Sequence, residues 1–120
     1  MANTFVWVDI PVHDLTRALA FYSAILGTEL QKADYGSFSI GLLPGSGGDV
    51  SGCLYEVEEV QPSDQGVLVY LNAQGRLDEA EAAIEPGGGK VLQSKHQIGP
   101  HGYRTVFLDT EGNRLALHSM

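Results

Sequence analysis

His118 and Arg104 are the side chains of this 120-residue chain whose types best suit chemistry together. An imidazole donates, accepts or exchanges a proton near neutral pH. A guanidinium can grip a carboxylate or a phosphate through paired N–H groups. His118 ends the stretch "RLALH" (Arg114–His118), where Leu115 and Leu117 alternate with Ala116 and His118. In a strand, that alternation sends the leucines to one face and Ala116 and His118 to the other. Arg104, Val106 and Leu108 alternate likewise in "YRTVFL". Asp9, Tyr70 and Asn72 add polar groups, with Asp9 expected to pair with Arg104 or a backbone N–H. Trp7 offers an indole that can stack on a planar ligand or fill a void. His96 and His101 flank "QIGP", a loop that on folding back would bring both toward His118 as a candidate metal site. His13 reads as a solvated turn residue. Cys53, in "GCLYEV", reads as a small buried residue with no base beside it. Lys95 is a candidate to close over a ligand. "PGSGGDVSG" lacks the Gly-Lys-Ser/Thr ending of a phosphate-binding loop and reads as a mobile hairpin.

These residues need elements to position them. In "DLTRALAFYSAILGTEL" (Asp14–Leu30), Leu15, Ala18, Leu19, Tyr22 and Leu26 form one helical stripe, capped by Asp14 and ended by Gly27. "RLDEAEAAIEPGGGKVL" (Arg76–Leu92) has the same layout, with Leu77, Ala80 and Ile84 as its stripe and acids in its first turn. A shift of 62 lays Leu15 on Leu77, Ala18 on Ala80, Gly27 on Gly89 and Leu30 on Leu92. Each helix follows a strand, "TFVWVDIPV" (Thr4–Val12) or "GVLVYLNA" (Gly66–Ala73). Val6, Val8, Ile10 and Val12 in the first, and Val67, Val69, Leu71 and Ala73 in the second, are expected to face the helices. Trp7 and Asp9, and Leu68, Tyr70 and Asn72, take the other face. Further strands are expected around 29–33, 37–43 and 53–58, then 90–96, 103–108 and 114–118. The chain therefore reads as a duplication. It is an α+β domain over residues 1–120, with two βαβββ modules at about 4–60 and 66–118, joined at "QPSDQ" (Gln61–Gln65) into one shared sheet surface.

Composition narrows the function. Hydrophobic residues are 43% of the chain and charged residues 18%, enough for a core without disulfides. The single cysteine suits a reducing cytoplasm. A net charge of −8 with no basic cluster argues against nucleic acid. No apolar run approaches membrane-spanning length, and "MANTFVWVDIPVHD" lacks the pattern of a secretory leader.

Two paired modules of this layout, with "VDIPVHDLTRALAFYSAILG", "GGGKVL" and "IGPHGYRTVFLDTEGNRLALH", resemble the vicinal oxygen chelate superfamily. It includes glyoxalase I, bleomycin- and fosfomycin-resistance proteins and extradiol dioxygenases. The resemblance implies a concave mixed sheet with the helices outside and a cavity lined by the mixed strand faces. In this chain the lining would comprise Trp7, Asp9, Leu68, Tyr70, Asn72, Arg104, Ala116 and His118. Metal-dependent members carry a His or Gln seven residues before the helix-starting Asp, which here is Trp7. The matching second-module position is Leu68, or Val67 in an alternative register. A Glu four residues after the last-turn glycine becomes Ala116. Glu56 is the nearest candidate for a fourth ligand. Indole N–H, Leu and Ala provide no metal-donor lone pair.

The resemblance and these substitutions together imply a small-molecule-binding protein that needs no cofactor. The alternative is an enzyme of lyase, isomerase or dioxygenase type, using a divalent metal at a non-standard site or His118 with Arg104 as catalytic groups. Homodimerisation is also implied, with modules of one chain or of two closing each cavity.

Overall fold

The computed structural model describes residues 4–45, 50–56 and 58–120. The first module runs β1 (Trp7–Pro11), α1 (Leu15–Leu26), β2 (Gln31–Asp34), β3 (Ser39–Leu42) and β4 (Ser51–Tyr55). The second runs β5 (Val69–Asn72), α2 (Leu77–Ile84), β6 (Lys90–Gln97), a 3-10 turn at Gly99–His101, β7 (Tyr103–Leu108) and β8 (Arg114–Ser119). Each module makes its own four-stranded sheet, in the orders β1-β4-β3-β2 and β5-β8-β7-β6. The β1–β4 and β5–β8 pairs are parallel and the others antiparallel, so both sheets are mixed. This is the α+β pair of βαβββ modules that the repeat predicts. No ladder bond joins the sheets among the described residues. Instead, side chains of β1, β5 and β8 border a common crevice.

Both helices pack on the same side of the sheets and on each other. One buried cluster runs from Ile10, Val12 and Tyr22 through Ala73 and Ile84 to Phe107 and Leu117. The α1 face is wider than the predicted stripe, because Phe21 and Ile25 are buried with Leu15, Ala18 and Tyr22. Phe21 seats against the turn after α2, where a Cβ on Gly89 would lie 2.8 Å from its ring. Those glycines therefore admit a side chain of the other module as well as ending a helix. The strand parities hold: Val8, Ile10, Val12, Val69, Leu71 and Ala73 all join the helix-side core. Val6 and Val67 do not, being 75% and 88% exposed, because β1 and β5 begin later than the alternation suggests.

The helix ends are held across the module boundary. Asp14 caps α1 by accepting from Arg17 N, and Gly27 ends it in the left-handed region at φ 69°. Arg76 of the second module donates from Nη1 to the Ile25 carbonyl at 2.8 Å, satisfying one of the last α1 acceptors. At the other end of α1, the turn between β7 and β8 supplies Glu111. Its carboxylate accepts from the His13 and Asp14 backbone N–H groups and from Nε and Nη2 of Arg17. Asp109 in the same turn accepts from Tyr22 Oη at 2.6 Å and from both N–H types of Asn113. Asn113 in turn donates to the Pro11 carbonyl and accepts from Ser63 N. No helix among the described residues is long and apolar enough to cross a membrane.

Candidate functional site

The face of each sheet away from the helices is open, and register decides what it carries. On the first sheet, Trp7 and Asp9 share that face with Ser51, Cys53 and Tyr55 of β4 and Ile40 and Leu42 of β3. Trp7 Nε1 donates to Asp9 Oδ1 at 2.9 Å, and the Cys53 thiol donates to the same oxygen at 3.3 Å. Asp9 thus pairs with Trp7 and Cys53, not with Arg104 or a backbone N–H, because β4 rather than β7 lies beside β1. Trp7 fills no void, since it is 48% exposed. Cys53 is buried as expected. Burial, then the hydrogen bond and charge of Asp9, push its thiol from 9.0 to about 11. These residues border a hollow of about 280 Å³ with Phe38 and Tyr55. Glu56 lies at its edge, but its carboxylate accepts from Leu15 N, another α1 cap.

On the second sheet, Tyr70 and Asn72 of β5 stand beside Ala116 and His118 of β8, which stand beside Val106 and Arg104 of β7. Gln93 and His96 of β6 complete that face. Arg104 is the hub. Its Nε donates to His96 Nε2 at 3.0 Å and its Nη1 to Tyr70 Oη at 2.6 Å. The Tyr70 and His118 rings lie 6.2 Å apart. His118 Nε2 contacts the His101 carbonyl at 2.6 Å, so that nitrogen carries a proton and Nδ1, unbonded among the described residues, presents a lone pair. Tyr70 and His118 line an open hollow of about 490 Å³ with Ile98 and His101. Tyr70 and Asn72 also border a groove of about 790 Å³ between the modules, near the ends of β3 and α1.

The predicted residues therefore fall into two groups. Tyr70, Asn72, Arg104, Ala116 and His118 share one sheet face, while Trp7 and Asp9 share the other sheet's. Leu68 lies one residue before β5. Ala116 is fully buried under its neighbours rather than lining open space. The three-histidine site does not form. His96 is bonded at both ring nitrogens, to Arg104 and to the Ser94 carbonyl, while His101 meets His118 through its backbone. Lys95 lies on the helix side, paired with Asp78 at 3.2 Å and over the Tyr103 ring, so it cannot close over this face. The predicted glycine hairpin includes residues 46–49, which lie outside the described residues. His96 was legible as a histidine but not as the partner of Arg104, because the strand bulges between Val91 and His96 break simple alternation.

The family's metal positions do not fit a cation. Trp7 offers an N–H already given to Asp9, Leu68 is aliphatic and Ala116 is buried. Among the described residues no cluster of three His, Cys, Asp or Glu side chains is arranged to hold a metal.

Comparison with known proteins agrees with the architecture. A "Glyoxylase-like domain-containing protein" of Didymella fabae is 33% identical over 119 residues, covering 92% of this chain and 88% of its own. The fold matches a glyoxalase/bleomycin resistance protein from Albidiferax ferrireducens T118 with a TM-score of 0.76 at 20% identity, over 98% of this chain and 99% of that one. It also matches the fosfomycin resistance protein FosX of Listeria monocytogenes with a TM-score of 0.70 at 18% identity, over 100% and 95%. The profile of one family covers residues 4–117, and the chain belongs to it: the Glyoxalase/Bleomycin resistance protein/Dioxygenase superfamily.

Proposed function

We propose that the protein binds a small organic molecule on the open face of the β5–β8 sheet, without a metal ion. One observation carries this reading: Arg104, Tyr70 and His118 converge beside a hollow of about 490 Å³. A few polar groups meeting in a concave, partly apolar site is the usual form of a small-molecule site. The donor chemistry of Trp7, Leu68 and Ala116 supports the metal-free part. Exposed aromatics on the first module, Trp7, Tyr35 and Phe38, support a homodimer in which a second copy covers that face. The lone cysteine supports residence in a reducing cytoplasm.

A second reading is catalytic. The Nδ1 of His118 beside Tyr70, unbonded among the described residues, favours it, because an imidazole oriented through its other nitrogen is the usual form of a general base. Two measurements separate the readings. Elemental mass spectrometry of dialysed protein is expected to find no stoichiometric transition metal, and finding one overturns the metal-free reading. Once a ligand is found by fragment screening, His118→Ala is expected to leave the fold intact and weaken binding about tenfold. Complete loss of a turnover that the native chain performs would favour the enzyme instead.

A further inference from the structure

The open face of the second sheet is charged against the sign of the molecule. Its strands place Tyr70, Asn72, His96, Arg104, Arg114 and His118 there and no Asp or Glu, in a chain with 15 acidic and 7 basic residues. Arg104 is the focus of that face. Both of its acceptors are neutral. His96 contacts the Ser94 carbonyl through Nδ1, which must carry a proton, so Nε2 is the lone pair that takes the Arg104 Nε–H. Tyr70 Oη takes an Nη1–H and keeps its own hydrogen to donate. The ion pairs among the described residues are Arg17–Glu111 and Lys95–Asp78, so no carboxylate compensates Arg104. An arginine is seldom half-buried without one. Here it is also fixed in direction, because two neutral partners hold Nε and Nη1, on different edges of the guanidinium, and leave Nη2 unbonded among the described residues.

We propose that this face recognises a small oxyanion, a carboxylate or phosphate group, at the unbonded Nη2 of the Arg104 guanidinium. Tyr70 Oη–H is a second donor, and the hollow beside His118 receives the rest of the molecule. His96 acts as a positioning residue that sets the direction of the guanidinium. The inference rests on the binding reading above and adds the charge of the ligand.

The test is an NMR titration of the isotope-labelled full chain with benzoate, with its neutral counterpart benzamide and with inorganic phosphate. It follows the Arg104 Nε–H and the His118 ring. Benzoate, phosphate or both are expected to shift these signals saturably, and benzamide is expected to leave Arg104 unmoved. The tighter of the two anions identifies which oxyanion the face prefers. Arg104→Gln is expected to weaken anion binding about tenfold to a hundredfold with an unchanged circular dichroism spectrum. Should it fail to fold, Arg104→Lys, which keeps the charge and loses the fork, is expected to weaken it less. His96→Ala is expected to lower the benzoate-to-benzamide preference, and His96→Gln, which keeps an acceptor, to restore part of it. Equal binding of benzamide and benzoate on this face overturns the oxyanion and leaves the binding reading standing. So does undiminished anion binding by Arg104→Gln. No shift by either anion at millimolar concentration also overturns it, whereas the binding reading falls only if neutral fragments leave the face untouched as well.

Discussion

The Glu111 carboxylate has no solvent exposure yet stays ionised. Burial alone would raise its proton affinity. Hydrogen bonds from Arg17, Thr110 and the Asp14 and His13 backbone outweigh that, and together lower the group from 4.5 to about 2. A carboxyl lowered on folding adds stability that is full above about 4.5 and is lost as pH falls through about 2. Glu111→Gln is therefore expected to cost about 2–3 kcal/mol at pH 7. The gap between variant and native chain should shrink as pH falls below 4.5, when urea midpoints are compared across pH. A gap that stays constant down to pH 3 would contradict this account. Cys53 makes the opposite case. With its thiol at about 11 and its side chain buried, it is expected to react with iodoacetamide in native protein far more slowly than in urea. Labelling at the same rate in both would show the thiol to be accessible.

At the level of elements, the α1 C-terminus depends on one backbone conformation and one neighbour. Gly27 at φ 69° has the Arg76 guanidinium 2.7 Å from where a Cβ would stand. Gly27→Ala is expected to cost about 1–2 kcal/mol from the left-handed strain alone. It should also displace Arg76 from Ile25, so that Arg76→Ala adds little further loss in the same background. Thermal melts of both single variants and the double variant test this, and strict additivity would refute the shared contact. How far the elements were legible follows from their periodicities. Alternation in Val8–Val12 and Val69–Ala73 correctly assigned faces, because a strand with one buried side repeats every two residues. The α1 stripe missed Phe21 and Ile25 because a helix packed on both a sheet and a second helix buries more than one stripe. Alternation also says nothing about which sheet a strand joins. Asp9 and Arg104 therefore read as partners although Trp7 and Cys53 hold the first and His96 and Tyr70 the second.

For the whole molecule, a single buried cluster spanning both modules implies one cooperative unit. Asn113 touches both modules at once, through Pro11 and through Asp109. Asn113→Ala is expected to raise amide hydrogen exchange in β1 and in the β7–β8 turn together, while unfolding in urea remains a single transition. Exchange rising in one module alone, or two separated transitions, would mean that the halves are stable separately. The "DTEGN" stretch (Asp109–Asn113) was legible as a turn. Its role as a clamp on the first module was not, because nothing in local spacing marks contacts between residues 98 positions apart.

That separation bears on the order in which the protein can be made. The α1 N-terminus emerges from the ribosome early, but the carboxylate that caps His13 and Asp14 is added 98 and 97 residues later. Translation supplies chain from the N-terminus onward, so the first module is synthesised complete, its helix capped by Asp14 and Glu56, while the His13 and Asp14 N–H groups still lack their acceptor. A chain ending before Asp109 is thus expected to lose protection of the His13 and Asp14 amides against hydrogen exchange, which the full chain retains.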